Sequence, residues 1–132
     1  MTQPFTFTLM SWLETNCALA GIPVPKLEWL EPKGTSYSVV QLDEPKVEKS
    51  YINGSKQYRI GYDFVAQGSW QSRLTLIQNQ TKLSALLETM RTKVVGDNVT
   101  VQKVEATTPS LRAQTENGIV RYGFSATIIY KD

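Results

Sequence analysis

The sequence predicts an α+β domain: an antiparallel sheet with a long β-hairpin and two helices packed on one face. Three observations predict it. The closing stretch alternates, with Val120, Tyr122, Phe124, Ala126, Ile128 and Tyr130 set against Arg121, Gly123, Ser125, Thr127 and Lys131, the period of a half-buried strand. Asn53-Gly54 sits between two further strand-like runs and is the dipeptide best suited to a tight hairpin turn. Two other segments, one opening near Phe5 and one near Trp70, repeat apolar residues at helical spacing.

In the first helix, Pro4 suits the opening turn, and Phe5, Leu9, Trp12 and Leu13 recur on one side. Ala18, Leu19 and Ala20 carry the pattern to Gly21, read as a C-terminal cap, with Pro23 and Pro25 as stops. Pro25 to Gly34 reads as extended, Leu27 and Trp29 pointing one way and Lys26 and Glu28 the other, before a turn at Pro32 and Gly34. Tyr37 to Leu42, rich in β-branched and aromatic residues, is a strand.

A two-residue type I′ turn at Asn53-Gly54 would face Tyr51 with Lys56, Lys49 with Tyr58, Glu48 with Arg59 and Val47 with Ile60. That register puts Val47, Tyr51, Tyr58, Ile60, Tyr62 and Phe64 on one face and Glu48, Ser50, Gln57, Arg59 and Asp63 on the other. After the break at Gln67-Gly68-Ser69, Ser69 reads as a helix N-cap. Trp70, Leu74, Ile77, Leu83, Leu86, Leu87 and Met90 then form the stripe of a long helix. Asn79-Gln80-Thr81 is a weak patch where it could kink, and Gly96-Asp97-Asn98 ends it. Val99-Thr100-Val101 opens another strand and Asn117-Gly118 marks a second turn. No internal repeat is visible. The expected core includes Trp12, Leu13, Trp70, Leu74, Leu87, Tyr122, Phe124 and Ile128.

The 132 residues suit a single domain spanning 1–132, and 41% hydrophobic with 20% charged residues belongs to a globular chain. Fourteen Lys and Arg face twelve Asp and Glu, a net charge of +2, and the cations are scattered along the chain. Nucleic acid as the main partner is disfavoured on that ground. Cys17 is the only cysteine, so no intrachain disulfide forms and a reducing cytoplasm is the natural compartment. No apolar run approaches the length of a membrane span, and the first residues lack a signal peptide's basic region.

With no histidine, the usual general base and metal ligand are missing, and one cysteine cannot build a thiolate zinc site. No phosphate-binding glycine loop occurs. No cofactor is expected. A two-carboxylate hydrolase remains the enzyme option, with Asp43, Glu44, Asp63 and Glu105 as candidates, but carboxylates beside Pro45 are commonplace in loops. Tyr58, Tyr62 and Phe64 alternate as stacking platforms do, which opens a second reading as a small nucleic-acid-binding module using a Tyr-rich sheet face. The same alternation serves a sheet that faces a helix.

Several segments together resemble the minor capsid or tail-terminator proteins of siphophages. They are Leu9-Met10-Ser11-Trp12-Leu13-Glu14, Leu30-Glu31-Pro32-Lys33-Gly34, the hairpin from Glu48 to Ser55, Thr108-Pro109-Ser110-Leu111, Glu116-Asn117-Gly118, and Tyr122-Gly123-Phe124-Ser125-Ala126 closing in Ile129-Tyr130-Lys131. The resemblance implies a non-enzymatic subunit that assembles in the host cytoplasm as a ring, about six copies by symmetry closure. Such a ring sits at the head-proximal end of the tail, caps the major tail tube protein, stops its polymerisation and meets the head connector. Phage DNA passes through its lumen without sequence-specific recognition. Another head–tail connector or neck component is the nearest alternative. The expected interface is the hairpin arm, with Lys49, Tyr51, Asn53, Gly54, Lys56 and Arg59 as its residues.

Overall fold

A computed structural model describes residues 5–28, 34–91 and 99–131. The expectations placed on Pro4, Trp29, Pro32 and Gly96-Asp97-Asn98 lie outside the described residues. Helix α1 (Phe5–Ala20) is followed by strands β1 (Lys26–Leu27), β2 (Ser36–Gln41), β3 (Lys46–Ser50) and β4 (Lys56–Ser69). A 3₁₀ turn (Trp70–Ser72) leads into helix α2 (Arg73–Glu88), and β5 (Thr100–Ala106), β6 (Ser110–Gln114) and β7 (Ile119–Lys131) complete the chain. The fold is α+β, as the alternation and the helical stripes predict.

Among the described residues the sheet has seven strands in the order β1-β2-β4-β7-β5, with β3 added to β4 and β6 added to β7. All pairings are antiparallel except β1 with β2, so the sheet is mixed. Its spine is the β4–β7 ladder, which runs unbroken from Gln57↔Lys131 to Ser69↔Ile119. Both strands outrun their outer neighbours. On β4 the outer edge is shared by β2 along 62–67 and β3 along 56–59; on β7 it is shared by β5 and β6.

Both helices cover one face. Leu9, Leu13 and Cys17 of α1 and Leu83 and Leu87 of α2 pack on Ile60, Tyr62, Phe64, Phe124 and Ile128, all at most 2% exposed. The period of two along β4 and β7 sends these aromatic and branched residues to the helix side. Phe64 stacks on Phe124 with ring centroids 5.0 Å apart, and Phe5 on Tyr130 at 4.1 Å. A buried polar relay pins α1 to the sheet: the Tyr62 hydroxyl donates to Thr6 Oγ1 at 2.9 Å, and Thr6 donates to Gln41 Oε1. Gly21, at φ 72°, ends α1 as expected. Its amide bonds the Ala18 carbonyl and that of Ile22 the Cys17 carbonyl, the paired bonds of a Schellman cap.

Three expectations need correction. Trp70 and Leu74 are 43% and 65% exposed, because the first turn is 3₁₀ and the buried stripe of α2 runs through Leu76, Gln80, Leu83 and Leu87 instead. Asn79-Gln80-Thr81 does not break the helix. Gln80 is 1% exposed and donates to the Phe64 and Tyr122 carbonyls at 3.1 and 3.0 Å, so the polar residue in the stripe is a satisfied core group. Ser69 does precede the turn, but its hydroxyl pairs with Ser72 rather than capping the backbone.

A further correction is an internal repeat. Every β3–β4 pair has a β6–β7 counterpart 64 positions later (114 − 50 and 120 − 56), including the bulge, at Glu48 in one hairpin and Arg112 in the other. The outer strands follow: Ser36↔Gln67 corresponds to Thr100↔Lys131 (100 − 36 and 131 − 67) until a bulge at Gln102 adds one residue. Each half opens with a helix of 16 residues. Tyr62 pairs with Ala126, its own counterpart (126 − 62 = 64), so an approximate two-fold axis passes through that pair. From Lys46 to Ala66, only Asn53, Gly54 and Tyr58 match their counterparts Asn117, Gly118 and Tyr122, which is why the repeat is invisible in sequence.

Two outcomes follow from this packing. In urea denaturation Leu87→Ala costs about 2–5 kcal/mol, while Leu74→Ala stays within about 0.5 kcal/mol, as at ordinary surface sites. Burial pushes the Cys17 thiol up from 9.0 to about 11. Because the folded value lies above the unfolded one, its contribution to stability is complete below pH 9 and is lost as pH rises through 11. Melting curves of the wild type should show that loss, and Cys17→Ala should lack this component of it.

Candidate functional site: the hairpin arm and the open sheet face

The β3–β4 arm is closed differently from a type I′ turn. Only Gly54 takes positive φ, at 89°, and Asn53 does not. The Gly54 amide bonds the Tyr51 carbonyl at 3.0 Å, and the Tyr51 amide bonds that of Ser55 at 2.9 Å. This is a three-residue loop ending on a left-handed glycine. Asn53 holds it through Oδ1, which accepts from the Ser55 amide at 3.1 Å and its hydroxyl at 2.8 Å. The Asn117-Gly118 turn repeats the geometry: Gly118 is at φ 80°, and the Thr115 amide bonds the Ile119 carbonyl.

The longer loop slips the register. Ser50 pairs with Lys56 and Lys49 with Gln57; after the bulge at Glu48, Val47 pairs with Tyr58 and Lys46 with Arg59. The arm therefore ends at Arg59, since β2 takes over the edge of β4 from Tyr62. A one-residue slip reverses faces. Ser50 moves to the helix side, while Tyr51 turns to the open side, its hydroxyl donating to Gln57 at 3.3 Å and its ring lying under Lys131 Nζ at 4.3 Å. The expected Glu48–Arg59 pair exists, at 2.6 Å, but the bulge creates it rather than direct opposition.

Of the expected interface residues, Lys49, Tyr51 and Arg59 gather at one end of the open face. Asn53 and Gly54 build the turn, and Lys56, opposite Ser50, falls on the other side. Two cations that the linear sequence sets far from the arm join them. One rung across β3-β4-β7-β5 reads Lys49, Gln57, Lys131, Thr100; the next reads Lys46, Arg59, Ile129, Lys103. Five cations thus occupy two neighbouring rungs, a patch roughly 14 Å by 7 Å from strand spacings. Glu48 offsets Arg59, and Glu105 lies 2.7 Å from Lys103, which holds the Glu105 carboxyl below its ordinary range. Asp43 reaches Lys46 only at 3.6 Å, with both side chains more than half exposed. Ile129 is 7% exposed between Arg59 and Lys103, an arrangement in which long cationic stems cover an apolar residue.

Farther along this face the charge is balanced. Arg112, at the second bulge, arches over Gly123 to Asp63 at 3.0 Å, and Asp63 also accepts from the Ser125 hydroxyl at 3.3 Å. A Cβ on Gly123 would lie 3.0 Å from the Phe64 carbonyl oxygen and 3.1 Å from Arg112. The carboxylates considered for hydrolysis are thus spread among separate ion pairs and loops. Among the described residues no group of three His, Cys, Asp or Glu is placed to hold a metal. The aromatic platform of the nucleic-acid reading is also closed, because Tyr62 and Phe64 are 0% exposed beneath the helices.

The alternation of the last strand was enough to set Lys131 on the polar face. Lys46 and Lys103 carried no such signal, since bulges beside each shift the alternation. No helix among the described residues is long and apolar enough to cross a membrane. No protein-family model matches the chain, and no curated protein matches it.

Gly54→Val and Gly118→Val should each destabilise the fold by about 1–3 kcal/mol, the cost of a left-handed conformation in a residue with a Cβ. Equilibrium unfolding measures this directly. Equal stability of either variant would show that its turn does not need the positive φ.

Proposed function

We propose that the chain is a non-catalytic structural subunit that assembles as a ring at the end of a phage tail tube. In this role it ends tube polymerisation and forms the tail side of the head–tail joint. The observation that carries the reading is the β3–β4 arm. All five residues of β3 are exposed, among the described residues the strand pairs only with β4, and Ile52 at the tip is fully exposed. The turn itself does not require an apolar tip, because the same loop in the second hairpin carries Glu116 in the place of Ile52. A free strand edge and an apolar tip suit docking on a neighbouring copy, where backbone groups gain partners and Ile52 leaves water. Such a contact joins unlike surfaces head to tail, the arrangement that closes into rings. The family resemblance of the sequence supplies the tail-tube context.

Sedimentation of the purified protein, alone and with tube protein, should give a ring mass and a ring–tube complex. Ile52→Asp should lower the mass toward one subunit while leaving the circular dichroism of the folded subunit unchanged. In a phage lacking the gene, electron microscopy should show overlong tails. Tails of normal, uniform length would reject the terminator role.

A further inference from the structure

The two-fold repeat contains its own control for the basic patch. Related by the pseudo-axis to its two rungs are Ala113, Arg121, Gln67 and Ser36, and then Ser110, Gly123, Val65 and Ser38. Those eight counterpart positions thus carry a single cation, Arg121, against five, and Arg112 at the neighbouring bulge is paired with Asp63. Arg121 donates to Gln67 at 2.9 Å, an internal partner. The five cations are therefore not a requirement of the sheet.

The partition of charge across the molecule points the same way. The open face of β3 to β7 holds seven cations (the five, Arg112 and Arg121) against Glu48, Asp63, Glu105 and Asp43, the last paired with Lys46, a net +3. The other described residues hold five cations and five acids, a net charge of zero. Cations scattered along the chain are collected by strand register onto one side, and the chain's +2 conceals the asymmetry.

We infer that the Lys46, Lys49, Arg59, Lys103 and Lys131 patch binds the phosphate backbone of double-stranded DNA, weakly and without regard to sequence. The patch is flat, lies on a pleated surface and offers ammonium groups on exposed stems, which engage phosphates as point charges. Among the described residues Tyr51 is the one aromatic on this face beside the patch, held under Lys131, and a single ring is no platform for a run of stacked unpaired bases. Nothing in the patch presents the fixed side-chain fork pattern that reads base edges, since Arg59 is committed to Glu48. The inference rests on register and charge, and it holds whether or not the chain forms a ring.

The test is a fluorescence-anisotropy titration of the full chain with a mixed-sequence 20-bp DNA duplex over a salt series. At roughly 0.9 per phosphate neutralised, three to four contacts give a slope of log K against log salt of about −3 to −4. The triple variant Lys46→Gln, Lys49→Gln, Lys131→Gln should bring the slope to about −1 and abolish measurable binding at 100 mM salt. Arg73→Gln with Lys82→Gln, on α2, should leave both unchanged. Circular dichroism and melting of each variant confirm that it folds, and Lys49→Arg should keep the wild-type slope. No binding by the folded wild type at 20 mM salt, a slope near zero, tighter binding to single strands, or an unaltered triple variant would each overturn the inference. Tail length in the complementation experiment is a separate readout, so either idea can fail alone.

Discussion

The β4–β7 ladder is the constraint on which the rest of this molecule depends. Its strands have 14 and 13 residues, well beyond their outer neighbours. A long strand with a free outer edge leaves unpaired amides and carbonyls, and each costs free energy when removed from water. Here two short strands in succession satisfy each edge, joined by links at 42–45 and 107–109. The Leu42 amide bonds the Gly61 carbonyl and that of Thr107 the Ser125 carbonyl, so the links keep contact with the spine. Helices then need only one face, and the hydrophobic side of the ladder supplies it.

Because the ladder is antiparallel and nearly centred on Tyr62↔Ala126, what happens at one end recurs at the other under a two-fold rotation. The two halves share turn geometry and bulge position while sharing almost no side chains. Their differences therefore separate what the backbone demands from what the surface adds. Glycine at both turns answers the backbone by taking the left-handed conformation, and a side chain braces each loop, Asn53 in the first and Thr115 in the second. Ile52 against Glu116, and Lys49 and Lys46 against Ala113 and Ser110, answer no such demand. Those contrasts mark the first hairpin as the end of the molecule adapted to contact.

Bulges decide where the surface chemistry lands. The two hairpin bulges each insert an unpaired residue whose side chain leans over the open face, Glu48 to Arg59 and Arg112 to Asp63. Glycine at 123 leaves room for the second of these, where the counterpart position holds Arg59 itself. Exchanging a tight turn for a loop one residue longer turns Tyr51 from the helix side to the open side, and the bulge at Glu48 then brings Lys46 level with Lys103. Small backbone irregularities have thus set the electrostatics of a whole face.

The linear pattern by itself determined the α+β class, α1 with its Gly21 cap, the two Asn-Gly turns and the core face of the last strand. Each of these depends on neighbours within a few residues: alternation, helical spacing, or a dipeptide with a special conformation. It also placed Phe124, Ile128 and Leu87 in the core. Only the tertiary structure decided that Trp70 and Leu74 face solvent while Gln80 is buried, because the 3₁₀ turn sets the phase of α2 and strand carbonyls supply the Gln80 partners. It alone decided the internal repeat, which resides in register and bulges rather than in identity. And it alone gathered Lys46, Lys103 and Lys131, since neighbours in a sheet are set by pairing between strands, which distance along the chain does not encode.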